Sequence, residues 1–216
     1  MNAAFSRFFA RAAIVLCLAG WVAPVYAATG DAVTYVSGLA DQTLATISNE
    51  HLSKRQKQAK LNRLFADNID FPWVGRFVMG RYWREATGEQ KARYLKEYQK
   101  FLILHYTSRF TEYTSGDFKV TGSEDDGNGE FTVSMQISSG DQSEDDQPVL
   151  VDYRVRREDK GFRIFDVIVE GVSMITTQRS EFASVIAKGG IGYLIDQLAA
   201  KSKTGDLNVA GGKGGE

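Results

Sequence analysis

The segment EFTVSMQIS, residues 130–138, is the clearest strand signal in the sequence, because its side chains alternate between apolar and polar. A period of two is typical of a β-strand with one buried face. Three other segments have similar strand character: FKVTG (118–122), VLVDYRVRR (149–157) and FRIFDVIVE (162–170). The sequence therefore predicts four strands in its second half.

Short segments connect these strands. EDDGNG (124–129) and EDKG (158–161) have the composition of tight hairpin turns, whereas SSGDQSEDDQ (138–147) is a longer acidic loop. Connections of this length join antiparallel strands, since parallel pairs need a crossover of a dozen or more residues. We therefore predict an antiparallel meander.

The last predicted strand has little polar face. Strict alternation would place Ile164 and Ile168 on one side and Phe165, Val167 and Val169 on the other. Because strands without a polar face are buried on both sides, we expect other elements to cover this one twice.

Helical periodicity dominates the first half. Residues 31–49 carry an apolar stripe, and Ser53 with Gln56 forms a capping box that opens a second helix. Pro72 suits the first turn of a third helix, and Gly80 suits its end. The first half is therefore predicted to be mainly helical.

The clearest helix begins at a second capping box, formed by Thr87 and Gln90. One side of this helix is unusually rich in aromatic side chains at helical spacing. The members of this face are Tyr94, Leu95, Tyr98, Phe101, Leu102, His105, Tyr106, Phe110 and Tyr113. Such a face is either core or the wall of a ligand cavity.

Two further helices close the domain, at about residues 173–188 and 191–202, with the glycine pair 189–190 between them. We predict an α+β fold: a strongly twisted, antiparallel, four-stranded meander sheet, an NTF2-like cone, wrapped by about six helices around an internal apolar cavity. The predicted parts are a helical part (28–115), the sheet (116–170) and the closing helices (171–202), followed by a disordered tail (203–216).

The first 27 of the 216 residues have the three regions of a secretory signal peptide. Arg7 and Arg11 precede an apolar run at residues 12–25, and small residues at 25 and 27 suit cleavage after Ala27. The run is short for a membrane span, which needs about 20 apolar residues. We therefore expect an exported protein.

Cys17, the only cysteine, lies inside the predicted signal, so the mature chain has no thiol. This excludes disulfides, thiolate catalysis and zinc–cysteine sites. Without Arg7 and Arg11 the chain has 24 basic and 27 acidic residues, a formal charge of −3. We therefore expect no nucleic-acid partner, and the spacing of acids and histidines predicts no metal site.

Gly171 and Ser173 resemble part of the Gly-x-Ser-x-Gly elbow that presents the nucleophile of many hydrolases. The second glycine is replaced by Ile175, and His51 and His105 are the only histidines available as a base. We therefore interpret Ser173 as a helix N-cap and predict no catalytic residues.

Three acids, Asp152, Asp166 and Glu170, lie on strands that are otherwise apolar. Asp152 or Asp166 could be a general base with a raised pKa in a pocket, as in small cone-shaped isomerases. We favour pairing with Arg154, Arg156 or Arg163 across the sheet. Arg179 is expected to pair with Asp166 or Glu170.

Several separated segments resemble the MlaC family of periplasmic phospholipid-binding proteins, also called the toluene-tolerance family. They are IDFPWVGRFVMGRYWREATGEQKARYLKEYQKFLILHY (69–106), VDYRV (151–155), GFRIFDVIVEGVSM (161–174), TTQRSEFASVIAKGG (176–190) and IGYLIDQL (191–198). The resemblance covers about residues 32–200. Met174 and Phe162 stand where leucine and tryptophan are common in the family.

The resemblance implies a periplasmic lipid carrier with acyl chains held between sheet and helices, and no cofactor other than this phospholipid cargo. It also implies two protein partners: an inner-membrane ABC transporter with a ring of MCE domains, and an outer-membrane lipoprotein–porin complex. Such a system maintains outer-membrane lipid asymmetry. We expect the carrier to be a monomer.

The candidate lipid-binding residues are chosen from the predicted apolar faces. They are Phe71, Val74, Phe77, Val78, Tyr98, Leu102, Tyr106, Val133, Met135, Val151, Tyr153, Ile164, Ile168, Val172 and Met174. Three alternatives stay open at this point: a pocket enzyme that uses Asp152 or Asp166, a carrier of sterol-like hopanoid lipids, and a purely structural or interaction module.

Overall fold

The computed structural model of the protein describes residues 25–110, 117–138 and 147–204. The predicted α+β architecture is confirmed, with six helices and one antiparallel sheet in this part of the chain. The elements are α1 (Val25–Ile47), α2 (Lys54–Asn68), α3 (Phe71–Met79), α4 (Tyr82–Glu85), α5 (Gly88–Phe110), β1 (Asp117–Gly127), β2 (Glu130–Ser138), β3 (Val149–Glu158), β4 (Gly161–Val169), β5 (Val172–Ser173) and α6 (Met174–Thr204).

The sheet is a meander of order β1-β2-β3-β4-β5. The four predicted strands are present, and β5 adds a two-residue fifth strand that pairs with the end of β4. The hairpin turns lie within the predicted segments but are shorter, at residues 128–129 and 159–160, because β1 continues to Gly127 and β3 to Glu158. Most of the acidic loop between β2 and β3 lies outside the described residues.

The predicted helix signals also hold. Ser53 and Gln56 form a reciprocal capping box ahead of α2, and Thr87 and Gln90 exchange the equivalent bonds ahead of α5. Gly80 ends α3 with a φ of 56°, a conformation that favours glycine. No helix in the described residues is long and apolar enough to cross a membrane.

Gly190 divides α6, as the glycine pair predicts. Its φ of 81° and ψ of 175° are not helical, so two helical segments meet there at a kink. The second segment reaches Thr204, two residues beyond the predicted end, and residues 205–216 lie outside the described part. The predicted signal peptide up to residue 24 and Tyr113 of the aromatic face also lie outside it.

Two apolar clusters form the core. The larger one joins α3, α5 and α6 around Tyr94, Tyr98 and Phe182, all of which are fully buried. The smaller one packs α1 through Ala32 and Val36 on the face of the sheet that carries Val151, Tyr153 and Val155, which we call the inner face. The outer face carries the polar series Asp152, Arg154 and Arg156 of β3.

A β-bulge in β4 changes which residues reach the inner face. Val155 pairs with Ile164 but Arg154 pairs with Asp166, so Phe165 is an extra residue in the ladder. After it, Val167 lies opposite Tyr153 and Val169 opposite Val151. Ile164, Val167 and Val169 therefore share the inner face, and Ile168 lies opposite Asp152 on the other. The prediction that Ile164 and Ile168 share a face is wrong, because it assumed unbroken alternation.

The arginines of the sheet pair with acids other than the predicted ones. Arg156 lies 2.9 Å from Glu130 and 3.7 Å from Asp70, Arg154 lies 3.6 Å from Glu130, and Arg163 lies 3.8 Å from Glu158. Asp152, Asp166 and Glu170 form no ion pair with them, so that prediction is wrong. Glu170 instead accepts a hydrogen bond from the Leu150 N–H at 2.6 Å.

The corner between β4 and α6 is held by Ser173 and Asp166. Ser173 Oγ accepts from the Thr176 N–H at 3.2 Å, which confirms the N-cap interpretation, and donates to Asp166 Oδ2 at 2.7 Å. The Asp166 carboxylate also accepts from the N–H groups of Ile175 and Val167, at 3.3 and 2.8 Å. A buried carboxylate thus anchors the first turn of α6 to the sheet.

Arg179 does not pair with Asp166 or Glu170, contrary to prediction. Its guanidinium lies over the ring of Phe77, 5.0 Å from the centroid. A Cβ atom at Gly80 would lie only 3.1 Å from Arg179 Nε. Arg179 therefore packs α6 against α3 through an aromatic ring instead of an acid.

We predict that Ser173→Ala lowers the free energy of unfolding by about 1–2 kcal/mol, because it removes the cap of α6 and one donor to the buried Asp166 carboxylate. Urea denaturation followed by circular dichroism measures the change. Ser184→Ala, at an exposed position of the same helix, is the matched control and should have a much smaller effect. Equal effects of the two substitutions would contradict this role of Ser173.

Candidate functional site

A cavity of about 400 Å³ lies between the inner face of the sheet and the helices. This volume is within the range of small-molecule binding sites, roughly 300–1,000 Å³. Its wall includes residues from every helix except α4 and from all four long strands. Ile69, between α2 and α3, also belongs to it. The wall consists of Leu44, Ile47, Phe65, Ile69, Val74, Tyr98, Leu102, Tyr106, Phe118, Ile137, Ser138, Val149, Val151, Tyr153, Ile164, Phe165, Asp166, Val167, Val169, Met174, Ile175 and Gln178.

A smaller pocket of about 90 Å³ continues the cavity towards α1 and α2. The two volumes share the wall residues Phe65, Ile69, Phe118, Tyr153 and Ile164, so they lie next to each other. At the other side, the wall includes Val149, which is 41% exposed. The cavity therefore reaches the surface near the start of β3.

Eight of the candidate lipid-binding residues lie in this wall: Val74, Tyr98, Leu102, Tyr106, Val151, Tyr153, Ile164 and Met174. They come from three helices and two strands, and the fold brings them together around one space. Their contact with a ligand stays a prediction.

The structure places the other seven candidates elsewhere. Val133 and Met135 are on the inner face of the sheet but pack in the cluster beneath α1. Phe71 and Val78 are buried in the helical cluster, and Phe77 stacks on Trp73 with ring centroids 5.2 Å apart. The last two lie near the β4–β5 turn: Ile168 pairs with Ser173, and Val172 is 52% exposed.

Sequence reasoning missed several wall residues. Leu44 and Ile47 lie on the predicted apolar stripe of α1, so their periodicity could have suggested them. Val167 and Val169 lie in the wall because of the bulge at Phe165, which period-two reasoning does not reveal. The sequence pattern does not indicate that Gln178 lies in the wall, because a lone amide in an amphipathic helix usually faces solvent.

The polar groups of the wall are few. Asp166 lies in it but is only 4% exposed, and its carboxylate is engaged at the β4–α6 corner. The Tyr98 hydroxyl donates to Gln178 Oε1 at 2.6 Å. No lysine or arginine belongs to the described wall, and no group of acids or histidines in the described residues could hold a metal ion.

The sequence model of the MlaC protein family matches residues 37–200, which is most of the chain. The chain belongs to the MlaC protein family. The resemblance predicted from the sequence is thereby confirmed.

Two relatives with known names are similar to this MlaC-family chain. One is the intermembrane phospholipid transport system binding protein MlaC of Haemophilus influenzae, 20% identical over 132 residues. The other is the toluene tolerance protein ttg2D of Pseudomonas putida, 24% identical over 131 residues. The matched stretches cover 60% of this chain and 61% and 59% of the relatives, respectively.

A solved structure shares the fold of this MlaC-family protein. It is a phospholipid-binding protein from Ralstonia solanacearum in complex with a phospholipid, 25% identical to this chain. The TM-score is 0.69, and the match covers 81% of this chain and 98% of the other. The fold described here is therefore that of a protein whose solved structure contains a phospholipid.

Burial raises the pKa values of several tyrosines in this MlaC-family protein. Burial raises the pKa of Tyr153 to about 12, and it raises the pKa values of Tyr94 and Tyr98 well above the ordinary value of 10. The accessible part of Tyr153 borders the cavity. These phenols therefore keep their protons at physiological pH, and Tyr98 and Tyr153 are neutral groups of the cavity wall.

We predict that the free energy of unfolding falls as the pH rises from about 10 to about 12. In this window the unfolded chain loses tyrosine protons that the folded protein retains, so the folded state is disfavoured. Tyr153→Phe should reduce the slope by at most about 1.4 kcal/mol per pH unit. Urea denaturation at a series of pH values measures the slope.

Tyr193→Phe is the matched control, because Tyr193 is 47% exposed. This substitution should not change the slope of the unfolding free energy against pH. A slope that Tyr153→Phe does not alter would contradict the burial effect at Tyr153.

Proposed function

We propose that this protein is a phospholipid carrier that encloses acyl chains in the 400 Å³ cavity and shuttles the lipid through the periplasm. The observation that carries the proposal is the apolar cavity between the inner face and the helices, in a fold shared with a phospholipid-bound protein. Membership of the MlaC family, and the similarity to a phospholipid transport system binding protein, point to the same cargo.

The energetics explain why a carrier is needed. Two acyl chains of about 16 carbons contain roughly 30 methylenes, and hiding each from water contributes about 0.8 kcal/mol. The gross gain of about 25 kcal/mol makes free diffusion through water negligible. A carrier must also release its cargo, so opening the cavity and desolvating the headgroup region must offset much of this gain.

The proposed partners follow from the family. An inner-membrane ABC transporter with MCE domains and an outer-membrane lipoprotein–porin complex would exchange lipid with the carrier, which we take to be an exported monomer. Direction would be set by differential affinity or by ATP hydrolysis in the transporter. In this proposal the chain maintains outer-membrane lipid asymmetry by moving cargo.

We infer that the protein is not an enzyme. Asp166 borders the cavity, but its carboxylate is engaged by Ser173 and by two backbone N–H groups, which favours a structural role. Asp152 lies on the outer face of the sheet, outside the described cavity wall. A general base in the cavity is therefore disfavoured for both aspartates.

We predict that Leu102→Trp reduces lipid loading several-fold or more. Leu102 is 4% exposed in the wall, and the larger indole would occupy space that an acyl chain needs. Delipidated mature protein is incubated with vesicles of phosphatidylethanolamine and phosphatidylglycerol and separated from them, and its bound lipid is extracted and quantified. Circular dichroism shows whether the variant is folded.

Leu52→Trp, in the turn between α1 and α2 outside the described wall, is the matched control and should load like the unchanged protein. A folded Leu102→Trp variant that loads normally would reject the cavity as the lipid site. Displacement of vesicle phospholipid by a hopanoid would favour the sterol-like cargo instead.

A further inference from the structure

Gln178 is an amide on the otherwise apolar inward side of α6. Ile175 and Phe182, three residues before it and four after it, are 7% and 0% exposed. Gln178, which is itself half-buried, therefore lies at the inward side of α6, where it borders the cavity. A polar group in such a place costs free energy unless it forms hydrogen bonds.

Tyr98 satisfies one end of this amide. The Tyr98 side chain is fully buried, and its hydroxyl donates to Gln178 Oε1 at 2.6 Å. Burial also raises the pKa of Tyr98 well above 10, so the phenol keeps the proton that it donates. This bond fixes the orientation of the amide, with its oxygen towards Tyr98 and its NH₂ group away from it.

The other end of the amide lacks a protein acceptor. Among the described residues, no group accepts a hydrogen bond from Gln178 Nε2, and this atom is not fully enclosed, so a bound molecule or water can reach it. A bound molecule with an acceptor oxygen at this position would complete the hydrogen bonding of the amide.

Charge restricts the kind of acceptor. The Asp166 carboxylate belongs to the same wall and lies close enough to raise the pKa of Tyr98, the partner of Gln178. No lysine or arginine of the described wall offsets it. A phosphate or a free carboxylate would be repelled here, so a neutral carbonyl oxygen fits best.

We propose that the Gln178 amide is a polar subsite of the cavity, which donates a hydrogen bond to an ester carbonyl of a bound acyl lipid. The inference rests on the proposed function, that the cavity holds lipid, and adds a recognition element to it. An ester carbonyl marks the start of an acyl chain. Gln178 thus sets how far the chains enter the cavity and distinguishes acyl lipids from alkyl ones.

The test compares a diester phosphatidylglycerol with its diether analogue of the same chain length, which lacks both carbonyls. Each lipid displaces a fluorescent lipid from the mature protein. The unchanged protein should bind the ester about fivefold more tightly, as expected for one hydrogen bond. Gln178→Met should abolish this preference and leave the affinity for the ether lipid the same or higher.

Gln197→Met makes the same change on the same helix, away from the described wall, and should keep the preference. Tyr98→Phe is a second variant, needed if Gln178→Met does not fold. It frees the amide to rotate and should weaken the preference.

Three results would overturn the subsite: equal binding of ester and ether lipid by the unchanged protein, a preference that survives Gln178→Met, or one that Tyr98→Phe leaves undiminished. It would also be overturned if Tyr153→Phe, at another phenol of the wall, removes the preference and Gln178→Met does not. Failure of the unchanged protein to bind either lipid would instead show that the proposed function itself is wrong, and the subsite with it.

Discussion

The bulge at Phe165 is the constraint on which the site depends. A regular strand keeps alternate residues on one face, and only an inserted residue can exchange the faces partway along. Here the exchange directs Val167 and Val169 to the cavity. It also lets Phe165 contact the Trp73 ring, at a centroid distance of 5.3 Å, and places Asp166 where it anchors α6. One extra residue therefore joins the wall, the helical cluster and the closing helix.

The cavity lies beside two apolar clusters that pack as separate units. The α3–α5–α6 cluster is held together by stacked and edge-on aromatic rings, such as those of Tyr94 and Tyr98, whose centroids are 5.4 Å apart. In the second cluster, α1 packs on the sheet. Protein interiors normally leave few voids larger than a water molecule. An apolar cavity of about 400 Å³ is therefore unusual for a protein interior, which is consistent with a binding site.

Much of the fold was predictable because local signals agreed with it. The capping boxes at Ser53 and Thr87 and the breaks at Gly80 and Gly190 act through nearby backbone groups, so sequence reveals them. The pairing of Arg179 with Phe77 and the placement of Val133 beneath α1 depend on how distant elements pack. About half of the candidate lipid-binding residues lie in the cavity wall. Apolar periodicity identifies the buried faces of helices and strands, but it does not reveal which buried residues border the cavity.

We expect the acyl chains of a phospholipid to fill the cavity in the working protein. Native mass spectrometry of the mature protein, purified without detergent, tests it most directly, followed by organic extraction to identify the bound species. We expect a mass increase equal to that of phospholipid, which is lost on extraction. A protein that shows only its own mass and gains none after incubation with phospholipid vesicles would contradict it.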